Sequence, residues 1–325
     1  ERAQDHARTD EEKRGQPPLF PLLVFRHALS LYRPHRSLLA AGMLAPMVRL
    51  VCILIVAACA AAQPRRSILL ITDAEGVAGI CRQEQTDPKD AELRALLTGE
   101  VNAAVEGFLE GGIEDVYVWD GHDGSATLSA LTIHPRARLI IGGLGRTLTF
   151  ERHYSAIGFL GQHAMAGARG AIMAHSYSSL GIQNLRINGR NVGEIETRAA
   201  LAGAFGTPVI FLSGDRAAAE ELKAIVPEAE TIAVKDGLAR HTCISMSAEM
   251  ARRVIREAAR RAVAKLGEVR PYRIPGPVVI EIEYTTRNSL RLDAAHALGG
   301  EVMDDRTDRF RGADFLDAWT RARLW

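Results

Sequence analysis

The sequence predicts an α/β fold, a largely parallel sheet flanked by helices with a smaller C-terminal α+β section, and three observations carry that prediction. From Ser67 onward, short β-branched runs alternate with helical stretches, as in chains built from strand–helix–strand units. No internal repeat or disordered linker interrupts residues 67–325. With 325 residues, 47% of them hydrophobic and 24% charged, the chain can fill a sizeable core, so disulfides and low complexity are not needed to account for its order.

Taken in order, Ser67–Thr72 reads as a buried strand, followed by a helix from about Asp90 to Glu110 that stops at Gly111 and Gly112. Asp115–Trp119, Leu139–Ile141, Ala156–Leu160 and Ala171–Met173 read as further strands. Asn184–Asn191 reads as a hairpin turning on Asn188-Gly189, because these two residues accept the positive φ of a tight hairpin turn. Val192–Phe205 is expected to be helical, Pro208–Leu212 a strand, Arg216–Ile225 a helix and Thr231–Val234 a strand. Ser247–Leu266 has the pattern of a long amphipathic helix with arginines on its polar face. Beyond Pro275 and Pro277 come a strand, Val278–Tyr284, and a C-terminal helix from about Gly312.

Upstream, residues 50–62 form an uncharged apolar run between Arg49 and the group Gln63, Pro64, Arg65, Arg66. The run is too short for a membrane span, which needs about 20 apolar residues, but it suits the core of a secretory signal. Residues 43–62 are therefore expected to be a signal peptide starting at Met43 or Met47, and residues 1–42 a mis-called or disordered upstream extension. Cleavage after Ala62 follows a small-residue pattern, whereas Val56-Ala57-Ala58-Cys59 resembles a lipobox that would make Cys59 a lipid-anchored N-terminus. A buried N-terminal helix is the competing reading of the same run. Export implies an oxidising, periplasmic or envelope address, where Cys81 and Cys243 could pair; two widely separated cysteines more often stay small buried hydrophobes.

The formal charge is +1, from 40 basic and 39 acidic residues, but residues 1–50 hold eight of the basic and five of the acidic groups. The body is thus slightly acidic and carries no basic footprint for a nucleic-acid partner.

In parallel sheets, ligands bind beyond the carboxyl ends of the strands. Here those positions hold Asp73 and Glu75 after the first strand, Asp120 and His122 after the second, His163 after Ala156–Leu160, and His175 after Ala171–Met173. Taken singly, Asp73 is a turn former and each histidine an ordinary structural group. Together they form the carboxylate and imidazole mixture that suits zinc, manganese or iron, and there are enough of them for a two-ion site with a bridging carboxylate, for which Asp73 is the natural choice. Asp120 reads equally well as a hydrogen-bond acceptor behind a ligand imidazole or as an ordinary strand-end acid. Asp215 reads as the N-cap of the helix it precedes, and His134, His153, His241 and His296 as surface or structural groups.

The segments Asp73-Ala74-Glu75-Gly76, Asp120-Gly121-His122, Gly161-Gln162-His163, Ala174-His175-Ser176 and Asn188 to Glu194 resemble, in order and spacing, the D-aminopeptidases of peptidase family M55. The resemblance implies an α/β metallopeptidase domain over 67–270, with 271–325 as a C-terminal subdomain of the same unit. It further implies that Asp73 bridges two zinc ions, that Glu75, His122, His163 and Glu194 are the remaining ligands, and that His175 is catalytic. Without it, Glu194 reads as an acid favoured by a helix N-terminus. The family also implies short peptides with D-amino-acid N-termini as substrates and a decameric homo-oligomeric ring. Two rivals stand beside this reading: another metal-dependent hydrolase, amidase or phosphoesterase, and a catalytically silent peptide-binding ring protein. The presence of all five expected ligands and His175 counts against silence.

Overall fold

A computed structural model describes residues 65–124, 126–142, 150–287, 293 and 296–323. The expected signal peptide, the lipobox at Cys59 and the upstream extension lie outside these residues. Among the described residues, no helix is long and apolar enough to cross a membrane.

In chain order the elements are β1 (Ser67–Thr72), α1 (Ala91–Glu110), β2 (Asp115–Trp119), β3 (Ala137–Ile140), β4 (Ala156–Gln162), β5 (Ile182–Ile187), β6 (Arg190–Asn191), α2 (Glu194–Ala204) and β7 (Val209–Asp215). They continue as α3 (Arg216–Ile225), β8 (Glu230–Ala239), β9 (Thr242–Ser245), α4 (Ala248–Ala264), β10 (Val278–Tyr284), β11 (Glu301–Val302), β12 (Thr307–Gly312) and α5 (Phe315–Ala322). Side-chain caps start the helices where the sequence supplies them: Asp90 accepts from the Leu93 N–H, Asp215 from Ala218, Ser247 from Met250 and Asp314 from Asp317.

The larger sheet has the order β3-β2-β1-β4-β7-β8-β9 and is parallel throughout except for β9, which runs antiparallel to β8. The order grows outward in one direction from β1 through β2 to β3 and then jumps to β4 on the other flank of β1. This places the topological switch, where parallel sheets open a crevice at their carboxyl ends, between β1 and β4. Ile68, Leu69, Leu70 and Ile71 of β1 are fully buried, each contributing roughly 1.5–3 kcal/mol of transfer free energy, so the strand that delivers Asp73 is firmly anchored in the core.

The smaller sheet has the order β11-β12-β10-β5-β6. Strand β10, from the section after Arg270, pairs with β5 from the middle of the chain, so the C-terminal strands share a sheet with the hairpin that turns on Asn188-Gly189.

Two expectations need correction, and one pairing that the sequence left open is formed. Ala171–Met173 is apolar and buried but not a strand: the Ile172 N–H bonds to the Asp215 carboxylate, the Met173 N–H to the Arg240 carbonyl, and Met173 turns to φ 49. The C-terminal helix begins at Phe315 rather than Gly312, because Thr307–Gly312 is itself a strand whose charged residues hide an alternation that buries Asp308 and Phe310. Cys81 and Cys243 are joined in a disulfide with Cα atoms 6.2 Å apart, although 162 residues separate them in sequence.

Candidate metal centre

The loop after β1 is held in place before any ligand is considered. Gly161 sits at φ +70 where a Cβ would lie 2.2 Å from the Asp73 carbonyl oxygen, so only glycine lets β4 pass this close to the loop. The Gly76 N–H donates to the Gly161 carbonyl at 2.7 Å, and the Asp73 N–H to that of Leu160 at 2.8 Å. The buried Lys235 ammonium of β8 donates to the carbonyls of Glu75, Val77 and Ile80. Further along, the Ala78 N–H bonds to Glu100 at 2.9 Å, Gly79 to Ser245 at 2.8 Å, and Cys81 is tied to Cys243 of β9.

All six residues singled out in the sequence converge at this crevice: Asp73, Glu75, His122, His163 and Glu194 are buried, and His175 is nearly so. The two oxygens of Asp73 face different partners. Oδ1 lies 3.1 Å from His122 Nδ1, which is also 3.5 Å from Glu75 Oε2. Oδ2 lies 3.6 Å from His163 Nε2, which is 3.5 Å from Glu194 Oε1. Glu75 Oε2 and His163 Nε2 are buried without a hydrogen-bond partner. An ion with ligands at about 2.0–2.2 Å in tetrahedral array spaces its donors roughly 3.3–3.6 Å apart, so the three separations of 3.5–3.6 Å, long for hydrogen bonds, fit donors arranged around shared cations, while the 3.1 Å contact of Asp73 with His122 is a hydrogen bond.

Each imidazole is oriented by a backbone carbonyl. His122 Nε2 faces the Thr86 carbonyl at 2.8 Å, His163 Nδ1 that of Ala164 at 2.9 Å, and His175 Nδ1 that of Met173 at 2.8 Å. A carbonyl only accepts, so each facing nitrogen carries a proton and the other ring nitrogen is the one available to the cluster. The His175 ring stacks on His163 with centroids 3.9 Å apart, and its Nε2 lies 4.0 Å from Glu194 Oε1. His163, His175 and Glu194 form one set of potential ligands, and Asp73, Glu75 and His163 another.

The electrostatics report a demand for positive charge. Burial alone would raise the Asp73 carboxyl, but the hydrogen bond with His122 and the charges of His163, His122 and Arg198 hold it well below the carboxylate range. Glu194 is likewise held down at about 2, Arg198 and His163 outweighing its burial. Glu75 is pushed up to about 7 by burial and by the Asp73 charge. For His122, burial lowers the pKa, but Asp73 and Glu75 overcome it and push the ring to about 10; His163 is also raised by Glu194 and Asp73 against its burial. His175 moves the opposite way, lowered by burial and by the adjacent His163. Carboxylates that draw protons onto two imidazoles would equally draw a cation.

A cavity of about 520 Å³ opens onto the cluster. Asp73, Glu75, His122, His175 and Glu194 line one part of it, while Trp119, Phe150, Tyr177, Leu201 and Trp319 give it an aromatic and aliphatic wall.

Of the residues weighed separately, Asp120 is buried and its Oδ2 accepts the N–H groups of Thr127 and Leu128, shaping the turn after His122. Asp215 caps α3 as its position implied, and also holds Ile172. Gln162, Arg198 and Lys235 contact the cluster or its loop and were not singled out in the sequence; Gln162 lies inside the Gly161-Gln162-His163 segment, and a glutamine beside a strand-end histidine was the available signal.

The sequence profile of the Peptidase M55 family, described as D-aminopeptidase, matches residues 67–324. The D-aminopeptidase of Bacillus subtilis (strain 168) is 28% identical over 260 residues, covering 78% of this chain and 93% of that protein. A solved structure, described as the Zn-dependent D-aminopeptidase DppA from Bacillus subtilis, a self-compartmentalizing protease, superposes with a TM-score of 0.71 at 27% identity, covering 78% of this chain and 94% of the other.

Proposed function

The chain belongs to the D-aminopeptidase family Peptidase M55, and from that premise we propose that it is a zinc aminopeptidase that holds two ions and removes D-residues from the N-termini of short peptides. The observation that carries the two-ion reading is the division of Asp73, with Oδ1 toward His122 and Glu75 and Oδ2 toward His163 and Glu194. In this arrangement Asp73 is shared, Glu75 and His122 complete one set of ligands, and His163 and Glu194 the other. Zinc is the family relative's metal, and the mixed imidazole and carboxylate donors suit it.

When bound, such ions supply Lewis acidity toward the scissile carbonyl and lower the pKa of water. The side chains provide the rest. His175 is fixed by its Nδ1–H to the Met173 carbonyl and kept below the ordinary imidazole range, so Nε2 is the basic atom that takes a proton from the attacking water and returns it to the departing amine. The aromatic wall of the cavity receives the apolar part of a short peptide and excludes water from the polar end.

The leader at residues 43–62 supports export to the periplasm or, through Cys59, attachment to the envelope, and the Cys81–Cys243 disulfide is consistent with an oxidising compartment. The self-compartmentalizing relative supports a homo-oligomer, with a decameric ring as the expected form, which light scattering on the purified protein measures.

The substrate claim is tested with paired D- and L-aminoacyl dipeptides. Preferential release of the D-residue supports it, and equal turnover of the two stereoisomers removes the D-specific part while leaving an aminopeptidase. Hydrolysis of acyl amides or phosphoesters with no peptide turnover would favour the rival hydrolase reading.

A further inference from the structure

We infer that Arg198 is a positioning residue for the proposed metal centre: one guanidinium sets Glu194 directly and Asp73 through Gln162, so that a single cation holds the two carboxylates flanking His163. The inference rests on reading the cluster as a metal centre. None of the steps above uses Arg198, yet it is a buried charge, its side chain only 9% exposed, inside the crevice.

Arg198 lies one helical turn beyond Glu194 on α2, and its Nη2 bonds to Glu194 Oε2 at 2.8 Å. The other carboxylate oxygen, Oε1, receives the Tyr177 N–H at 3.1 Å and faces His163. With Oε2 taken by the guanidinium, Oε1 is the atom left toward the imidazole. The second arm of the fork, Nη1, donates to Gln162 Oε1 at 3.3 Å. Binding the amide oxygen to a cation fixes which way the amide points, and its Nε2 then donates to Asp73 Oδ2 at 2.8 Å. The rings of Trp119 and Tyr177 lie 6.0 and 5.8 Å from the guanidinium carbon, close enough to hold the planar group by cation–π contact. An ammonium could match the charge but not this geometry, since it offers a point charge in place of a planar fork reaching two acceptors on different elements.

The charge of Arg198 also repels a bound cation, so geometry and Coulomb repulsion act in opposite senses and the experiment must separate them. Zinc affinity is measured by chelator competition for the wild type, Arg198→Lys, Arg198→Gln and Gln162→Met, with circular dichroism and melting curves recorded in chelator as controls for folding. Loss of an orienting partner is expected to weaken zinc binding about 10–100-fold in Arg198→Lys and Gln162→Met, and the double variant should lose less than the product of the two, since both break one relay. Unchanged affinity in folded Arg198→Lys and Gln162→Met would overturn the inference while leaving the metal reading intact. Tighter binding by Arg198→Gln would show that repulsion dominates and would overturn it too. Should Arg198→Lys fail to fold, Gln162→Met decides alone, because it cuts the Asp73 limb and leaves the Arg198–Glu194 pair. A wild type that binds no zinc would remove the metal reading itself.

Discussion

His163 and His175 lie face to face, their rings 3.9 Å apart and 19° from parallel, but their available nitrogens do different things. His163 Nε2 is enclosed between Asp73 and Glu194, whereas His175 Nε2 stands 4.0 Å from Glu194 on the cavity side. In the proposed mechanism, the stack keeps a proton-transfer group, His175, against a metal ligand, His163, without merging their roles.

That separation predicts different losses for the two rings. His175→Ala should lower kcat by about 10²–10⁴-fold while the protein keeps its zinc, and His163→Ala should lose both zinc and activity. Elemental analysis beside steady-state kinetics checks this. Activity unaffected in His175→Ala would remove its proposed role, and zinc lost in His175→Ala would move it into the ligand set, a position the geometry with His163 and Glu194 also permits.

Gly161 should be a sensitive backbone position near the site. Its φ of +70 disfavours any side chain, and an alanine Cβ would meet the Asp73 carbonyl oxygen at 2.2 Å and Val77 Cγ2 at 2.9 Å. Gly161→Ala is expected to cost about 1–3 kcal/mol of stability and to displace the loop that carries Asp73 and Glu75, weakening zinc retention. Urea melts and zinc analysis test this; a variant with wild-type stability and metal content would show that the loop is not held by this contact.

Glu100 gives the fold a pH dependence whose sign follows from its burial, which raises its carboxyl from 4.5 to about 7 despite the Ala78 N–H and the charge of Lys235. The folded state binds this proton more tightly than the unfolded state, so the stabilisation is complete below the unfolded value and declines as pH rises through about 7. The full shift corresponds to about 3 kcal/mol. Glu100→Gln keeps a side-chain oxygen for the Ala78 N–H and removes the titration, so its stability relative to wild type should increase between pH 5 and 8. A difference that stays flat across that range in urea melts would contradict the assignment.

The parts of the site legible in the sequence are those that follow from the parallel sheet. Asp73, Glu75, His122 and His163 stand just past apolar runs, where ligands of such sheets gather. His175 was legible at the end of an apolar triplet, though that triplet is buried by the bonds of Ile172 to Asp215 and of Met173 to Arg240 rather than by strand pairing. Glu194 was legible only through the family resemblance, because an acid at the first position of a helix is ordinary by itself. The supporting groups depend on contacts that local spacing does not encode. Lys235 reaches the Glu75 carbonyl across 160 residues, the Cys81–Cys243 pair spans 162, and Arg198 is one arginine among many until α2 packs it against Gln162. Strand β12 was missed for a related reason, since its burial of Asp308 depends on the hydroxyl of Tyr284, at 2.9 Å from a neighbouring strand.

The central claim is that Asp73 joins two metal sites, and zinc content per folded chain tests it most directly. Elemental analysis of the purified protein should give close to two zinc ions per wild-type chain and almost none in an Asp73→Ala variant that circular dichroism shows to be folded. A wild type without bound metal, or a folded Asp73→Ala protein that keeps both ions, would contradict the account.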